Sequence, residues 1–319
     1  MSSNTQKVQE EILRGKQATF GEFIWNGETG QFLGRTGGSW AKIGIFYLIF
    51  YAFLAGFFSC MMAVFYTTLD TQYEPKYSPG NEDSLLRNPA LGFRPLPRHE
   101  NVESTLIWYN TGNEDDIKHW YESLDKFIEQ TYEGTGTEGE SSDVKDCSED
   151  NPAEKGQVCK FDFQLLGDKC TKAEKWGYAR KSPCVILKMN KMFGWNPVVY
   201  EKVEELPKEM PEDLKKHIEL KTNDNGGKVP KMVWVSCRGE NPADEEYIGE
   251  IEYTPWQGFP SYYFPYTHTA GYLPPIVAVR FVAPASNVLI NVECKAYAKN
   301  INHNRKERLG LVHFELLRD

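Results

Sequence analysis

Hydrophobic and polar positions divide the chain into stretches with different periods. Over residues 43–69 (IGIFYLIFYAFLAGFFSCMMAVFYTTL), 27 residues follow one another without a charge. A helix of that length runs for about 40 Å against a hydrocarbon core of about 30 Å, which predicts a tilted membrane span. The run is longer than the ~7–15 apolar residues of a signal peptide and starts behind mostly polar sequence, so it reads as an uncleaved anchor. Over 116–132, Ile117, Trp120, Tyr121, Leu124, Phe127, Ile128 and Tyr132 recur at spacings of three and four, the period of an amphipathic helix. Farther on the period falls to two. Val288, Ile290, Val292, Cys294, Ala296 and Ala298 alternate with Leu289, Asn291, Glu293, Lys295 and Tyr297, and Val312, Phe314 and Leu316 alternate with His313 and Glu315. Similar runs at 184–193, 232–237, 250–254 and 276–283 are separated by Pro and Gly clusters. Several short strands with one early helix predict a mainly-β antiparallel sandwich carrying a helical insertion.

This pattern predicts four parts: a tail (1–42), the transmembrane helix (43–69), a stalk with Pro and Gly (70–98) and a folded ectodomain (99–319). Residues 133–158 hold eight acids, two lysines and almost no apolar side chain, and are expected to form a surface loop. Basic residues orient the span weakly: Arg35 and Lys42 lie in the fifteen residues before it and Lys76 alone in the fifteen after, while twenty-residue windows tie. The cysteines orient it better. Cys60 lies in the span, and Cys147, Cys159, Cys170, Cys184, Cys237 and Cys294 all follow it. Six thiols in one soluble domain point to disulfides and an oxidising compartment on the C-terminal side, hence a single-pass type II chain with a cytosolic N-terminus. Six cysteines allow fifteen pairings, of which the nearest-neighbour scheme, Cys147–Cys159, Cys170–Cys184 and Cys237–Cys294, is the expected one. Zinc is the competing reading, although no two of the six form a Cys-x-x-Cys pair.

Composition narrows the function classes. Forty-five acids against thirty-six bases give a formal charge of −9, the wrong sign for nucleic-acid binding. Catalysis finds no motif. No Asp-x-Asp occurs to hold a metal-bound sugar nucleotide, and the six histidines form no His-Glu-x-x-His. The nearest approach to a nucleophile elbow, Gly37-Gly38-Ser39-Trp40-Ala41, lacks its last glycine. No catalytic residue, metal site or cofactor is therefore expected.

Two surfaces look built for a partner instead. In the span, Tyr47 and Tyr51 share a helix face, and Ala52, Gly56 and Cys60 form a small-residue stripe that would admit a neighbouring helix. Beyond it, Tyr262, Tyr263, Phe264, Pro265 and Tyr266 form an aromatic cluster, followed by Tyr272 and Pro274-Pro275; its proline fits an edge or exposed segment better than a central strand.

The tail carries Phe20-x-x-Phe23-x-Trp25-Asn26, then Leu33-Gly34-Arg35-Thr36 and Trp40 leading into the span. Farther on stand Gly177-Tyr178, Pro183-Cys184-Val185, Lys188-Met189-Asn190, the 262–266 block with Pro275-Ile276-Val277-Ala278-Val279, and Val292-Glu293-Cys294-Lys295. In these residues the chain resembles the β-subunits of the sodium/potassium-transporting ATPases, a family shared in outline by the proton/potassium ATPase. The resemblance implies an immunoglobulin-like ectodomain with three disulfides in sequential order, at the plasma membrane. It implies a non-catalytic subunit that assembles with, delivers and stabilises the α-subunit of a P-type ATPase and tunes potassium affinity, with a small FXYD-type regulatory subunit as a further partner. Tyr47 and Tyr51 would then pack beside an α-subunit helix, and residues 262–266 would meet an extracellular loop of that subunit. Two departures stand out: the third ectodomain cysteine lies in Lys169-Cys170-Thr171-Lys172 rather than Cys-Ser-Gly, and no Asn-x-Ser/Thr occurs, so N-glycosylation is predicted to be absent. The alternative is an adhesion or receptor protein of the same fold acting without a pump.

Overall fold

In the computed structural model the described residues are 24–27, 30–69, 89–98, 104–133, 143–154 and 156–319. Phe20, Phe23, most of the expected stalk and residues 134–142 of the acidic loop lie outside them. The chain divides into two units, Met1–Leu69 and Asp70–Asp319.

In the first unit, β1 (Trp25–Asn26), β2 (Gln31–Phe32) and β3 (Arg35–Thr36) form a small antiparallel meander that feeds directly into α1 (Gly37–Thr67). The Trp40 indole N–H donates to Phe32 O at 2.8 Å, tying the first turn of α1 to β2. The helix starts six residues before the uncharged run, because Thr36 is still extended and the small residues behind it can coil at once. It stops at Thr67, where the Thr67 and Thr68 hydroxyls donate back to Val64 O and Phe65 O, each at 2.7 Å. Among the described residues it is the one helix long and apolar enough to cross a membrane, and none of its residues is buried.

The second unit contains β4 (Leu91–Arg94), β5 (Leu106–Tyr109), α2 (Glu114–Ile128), β6 (Asp143–Lys145), β7 (Gln157–Cys159), β8 (Cys184–Met189), α3 (Glu212–Asp224), β9 (Met232–Gly239), α4 (Pro242–Tyr247), β10 (Glu250–Thr254), β11 (Gly258–Pro260), β12 (Ile276–Val282), β13 (Leu289–Tyr297) and β14 (Leu311–Arg318). Two sheets dominate, in the orders β10-β12-β8-β4 and β11-β9-β13-β14-β5. The expected all-antiparallel pairing has two exceptions: β5 runs parallel to β14, and β6 parallel to β7. The sheets share one core, in which Phe314 stacks on Phe93 at 5.0 Å and meets Phe281 edge-on at 6.0 Å. Burying rings from three strands at one point locks the two sheets together, because aromatic pairs gain from geometry as well as from area.

The expected early helix is α2, shifted by two to four residues at its ends, and it buries Ile117, Trp120, Leu124 and Ile128. Asn113 caps it, accepting from the Asp115 N–H at 3.1 Å, and Glu114, Asp115 and Asp116 complement the helix dipole. Its Trp120 indole donates to Trp108 O on β5 at 2.7 Å, and its Asp125 accepts from the Trp176 indole at 2.8 Å, so it is held at two points.

Two helices had no counterpart in the sequence reading. Leu214 and Ile218 of α3 pack with Tyr200, Met210, Val229, Met232, Trp234 and Tyr297 in a second core on the far side of the five-stranded sheet. That is why Tyr297, placed on the polar face by alternation, is buried. In α4 the buried Asp244 carboxylate accepts the Asn241 and Asn291 N–H groups at 3.2 and 3.0 Å. A Cβ at Gly239 would collide with the main chain of Asp244 and Glu245, so only glycine lets α4 sit this close. Glu293, also placed outward, is buried and pairs with Lys295 at 2.7 Å and Arg305 at 3.3 Å.

The disulfides are Cys147–Cys159, Cys170–Cys184 and Cys237–Cys294, the sequential order expected. The last joins register partners on β9 and β13. All six thiols that could have bound zinc are thereby consumed, and Cys60 on α1 is free.

Candidate partner-binding surfaces

On α1 the helical spacing of four stacks aromatic rings along the axis. Tyr47 and Tyr51 lie 6.0 Å apart with planes 24° apart, and Phe46 and Phe50 lie 6.3 Å apart at 13°. Edge contacts of 5.4 Å, Phe46 to Tyr47 and Phe50 to Tyr51, join the two ladders into one panel of four rings. Tyr47 is 50% exposed and Tyr51 60%, so this chain covers neither. At Gly56 an added Cβ would meet nothing within 4 Å, and Ala52 one turn earlier is exposed as well. In a hydrocarbon environment a tyrosine hydroxyl without a partner is costly, so the panel offers both ring area and two polar groups to a neighbouring helix.

The aromatic cluster follows β11 through a single turn of 3-10 helix, Ser261–Tyr263. Its rings face different ways. Tyr263 is buried against Phe161 at 5.9 Å and donates its hydroxyl to Lys160 O at 3.0 Å, so it anchors the segment; burial drives its phenol pKa up. Tyr262, Phe264, Pro265 and Tyr266 are half-buried and present their edges. Phe264 meets Trp195 edge-on at 5.5 Å, and Tyr266 leans on Tyr272 at 5.0 Å. The Lys191 ammonium lies 5.4 Å from the Tyr266 ring and 5.5 Å from the Tyr272 ring, with its pKa lowered by burial. From behind, the Tyr132 hydroxyl donates to Pro274 O at 2.7 Å. The product is an aromatic ledge with the exposed Lys191 ammonium against two of its rings, and aromatic side chains are enriched at protein contacts.

Lys191 and Trp195 belong to this ledge and went unseen in the sequence, because they lie some seventy positions from the cluster and carry no pattern of their own. No group of three or more His, Cys, Asp or Glu side chains that could hold a metal occurs among the described residues.

Comparison with known families matches residues 10–314 to the sodium/potassium ATPase beta chain. The chain belongs to that family. Among curated relatives, the sodium/potassium-transporting ATPase subunit beta-2 of Drosophila melanogaster is 44% identical over 96% of this chain and 94% of its own length. Subunit beta-1 of the same organism is 42% identical over 95% and 94%, and subunit beta-2 of Mus musculus 30% identical over 92% of each. The match to the beta chain family takes in α1, the three disulfides and the aromatic ledge, so both candidate surfaces fall within the shared region.

Proposed function

We propose that this chain is the non-catalytic β-subunit of a P-type sodium/potassium-exchanging ATPase at the plasma membrane. Its tail (1–42) is cytosolic, its span (43–69) crosses once in the type II sense, and a stalk (70–98) leads to an extracellular, immunoglobulin-like sandwich (99–319). Six paired cysteines in the C-terminal unit favour this orientation, since disulfides persist in oxidising compartments. The Tyr47, Tyr51, Ala52 and Gly56 face packs beside a helix of the catalytic α-subunit, and the ledge around Tyr262, Phe264 and Tyr266 meets one of its extracellular loops. Through these contacts the chain assembles, delivers and stabilises the α-subunit and tunes potassium affinity, with an FXYD-type subunit as a further neighbour. The observation that carries the reading is α1, 31 residues with none buried and a hydroxyl-bearing ring panel, in a member of the beta chain family.

Exchanging residues 43–69 for an unrelated apolar span of equal length tests it. The exchanged chain should reach the membrane folded yet recover much less ATPase on affinity purification. Undiminished recovery would mean that the span is only an anchor, as in an adhesion protein.

A further inference from the structure

Strand β10 is the outermost strand of its sheet and pairs on one side only, with β12. The register sets Glu250, Glu252 and Thr254 opposite Val282, Arg280 and Ala278. On β12 the Phe281 N–H donates away from β10, to Pro183 O at 3.1 Å, so its neighbours Arg280 and Val282 turn their main-chain groups toward β10. The same alternation turns the N–H and C=O of Ile251 and Tyr253 outward, and no strand among the described residues pairs with that side.

A cavity of about 1010 Å³ lies along this edge. Loop 166–170 and the end of α3 bound it, and Ile251, Met232, Trp234 and Trp256 line it with apolar surface. Two polar atoms of the lining residues are buried without a partner, the Trp234 indole N–H and the Thr254 hydroxyl. Trp234 is 1% exposed and forms the floor of the cavity with its apolar ring edge. Charges around the cavity are largely matched within the chain. Lys169 and Arg280 both hold Glu252, at 2.9 and 2.8 Å, Lys221 faces Asp224 at 3.8 Å, and Glu149 accepts the Lys231 N–H. His217 is kept below the ordinary imidazole pKa by burial and by Lys221. With Asp168 also at the rim, a phosphate or other anion finds no free cluster of cations here.

We propose that β10 accepts an extended, uncharged peptide segment of a partner protein as an added fifth strand, one apolar side chain of the segment entering the cavity beside Trp256. Main-chain pairing at Ile251 and Tyr253 supplies the binding, and the cavity selects the side chain. Edge strands are commonly guarded by charge, but the carboxylate central to this one is already neutralised by two cations. The site shares no residue with α1 or the aromatic cluster and stands independently of the subunit reading.

The test titrates the full-length chain in mild detergent with the capped peptide acetyl-Thr-Val-Thr-Phe-Thr-Val-amide and with its fully N-methylated counterpart, which keeps the side chains and loses the strand donors. The unmodified peptide should slow hydrogen exchange at Ile251 and Tyr253 and bind at least about tenfold tighter than the methylated one. Ile251→Pro, which removes one outward N–H and leaves the ladder to β12 intact, should weaken binding by about tenfold. Equal binding of the two peptides would replace the added strand with a pocket that reads side chains or small molecules. No protection at about 1 mM peptide would overturn the proposal. So would a dimer of the chain that Ile251→Pro dissociates, since a second copy would then own the edge.

Discussion

The two units of the chain settle their apolar surface in opposite ways. In the C-terminal unit, facing sheets, two flanking helices and three disulfides bury Phe93, Phe281, Phe314, Trp234 and their neighbours almost completely. Across α1 an equally apolar sequence buries nothing, and Tyr47, Tyr51 and Gly56 face outward unused. Lipid can take the aliphatic groups of such a helix, but it cannot satisfy tyrosine hydroxyls, nor does it need a groove at glycine. Inside the C-terminal unit side chains pack on each other, whereas those of α1 are covered by nothing among the described residues, as the proposed partner face requires.

This contrast can be broken at several points. Removing the bridge between β9 and β13 with Cys237→Ser and Cys294→Ser should cost about 4 kcal/mol, from the loop it closes, and lower the Tm of the C-terminal unit in non-reducing calorimetry. Phe314→Ala should cost about 3–5 kcal/mol by leaving a cavity between the sheets, read from the shift of the denaturant midpoint. On α1 the sign of the contrast reverses. Tyr47→Phe with Tyr51→Phe should leave the Tm of the C-terminal unit unchanged while loosening the partner ATPase, at about 1 kcal/mol per lost hydroxyl contact. A drop in Tm with unchanged partner recovery would put those tyrosines in the wrong role. The smallest effect concerns Glu205, whose carboxylate is held at about 2 by the Lys299 ammonium at 2.8 Å and by the Glu201 and Lys202 N–H groups. Its folded pKa is depressed, so its contribution is present above the ordinary value of about 4.3 and is lost as pH falls through about 2. Wild type and Glu205→Gln should therefore differ in Tm near neutrality and converge in acid; a gap that persists at low pH would contradict this.

Legibility followed the same division. The span was readable from 27 uncharged residues, because a membrane helix is a matter of composition and length. Strand 250–254 was readable from its alternation and 276–282 as a short apolar run rich in β-branched residues before Pro284, while in 289–297 alternation revealed the strand but not all of its buried side chains. Where both faces are covered, alternation misled: Tyr297 and Glu293 were placed outward and are buried under α3 and beside Arg305. Helix α3 itself was hidden, since seven of its thirteen residues are charged and only Leu214 and Ile218 mark its inner face. The Leu214, Ile218 and Thr222 spacing behind Pro211-Glu212-Asp213 was the available signal. The parallel pairing of β5 with β14 joins residues some two hundred positions apart and leaves no local trace. The aromatic cluster was visible as composition, yet which rings face outward depends on Lys160, Lys191, Trp195 and Tyr272, none of which is its sequence neighbour in strand or helix period.

Affinity purification of the tagged full-length chain from membranes in mild detergent, followed by mass spectrometry and an ATPase assay with and without sodium and potassium, bears most directly on the central claim. A P-type ATPase recovered in equal amount, with hydrolysis stimulated by both cations together, is the predicted result. Recovery of the chain alone, or with partners that hydrolyse no ATP, would contradict it and leave the exposed face of α1 without the partner assigned to it.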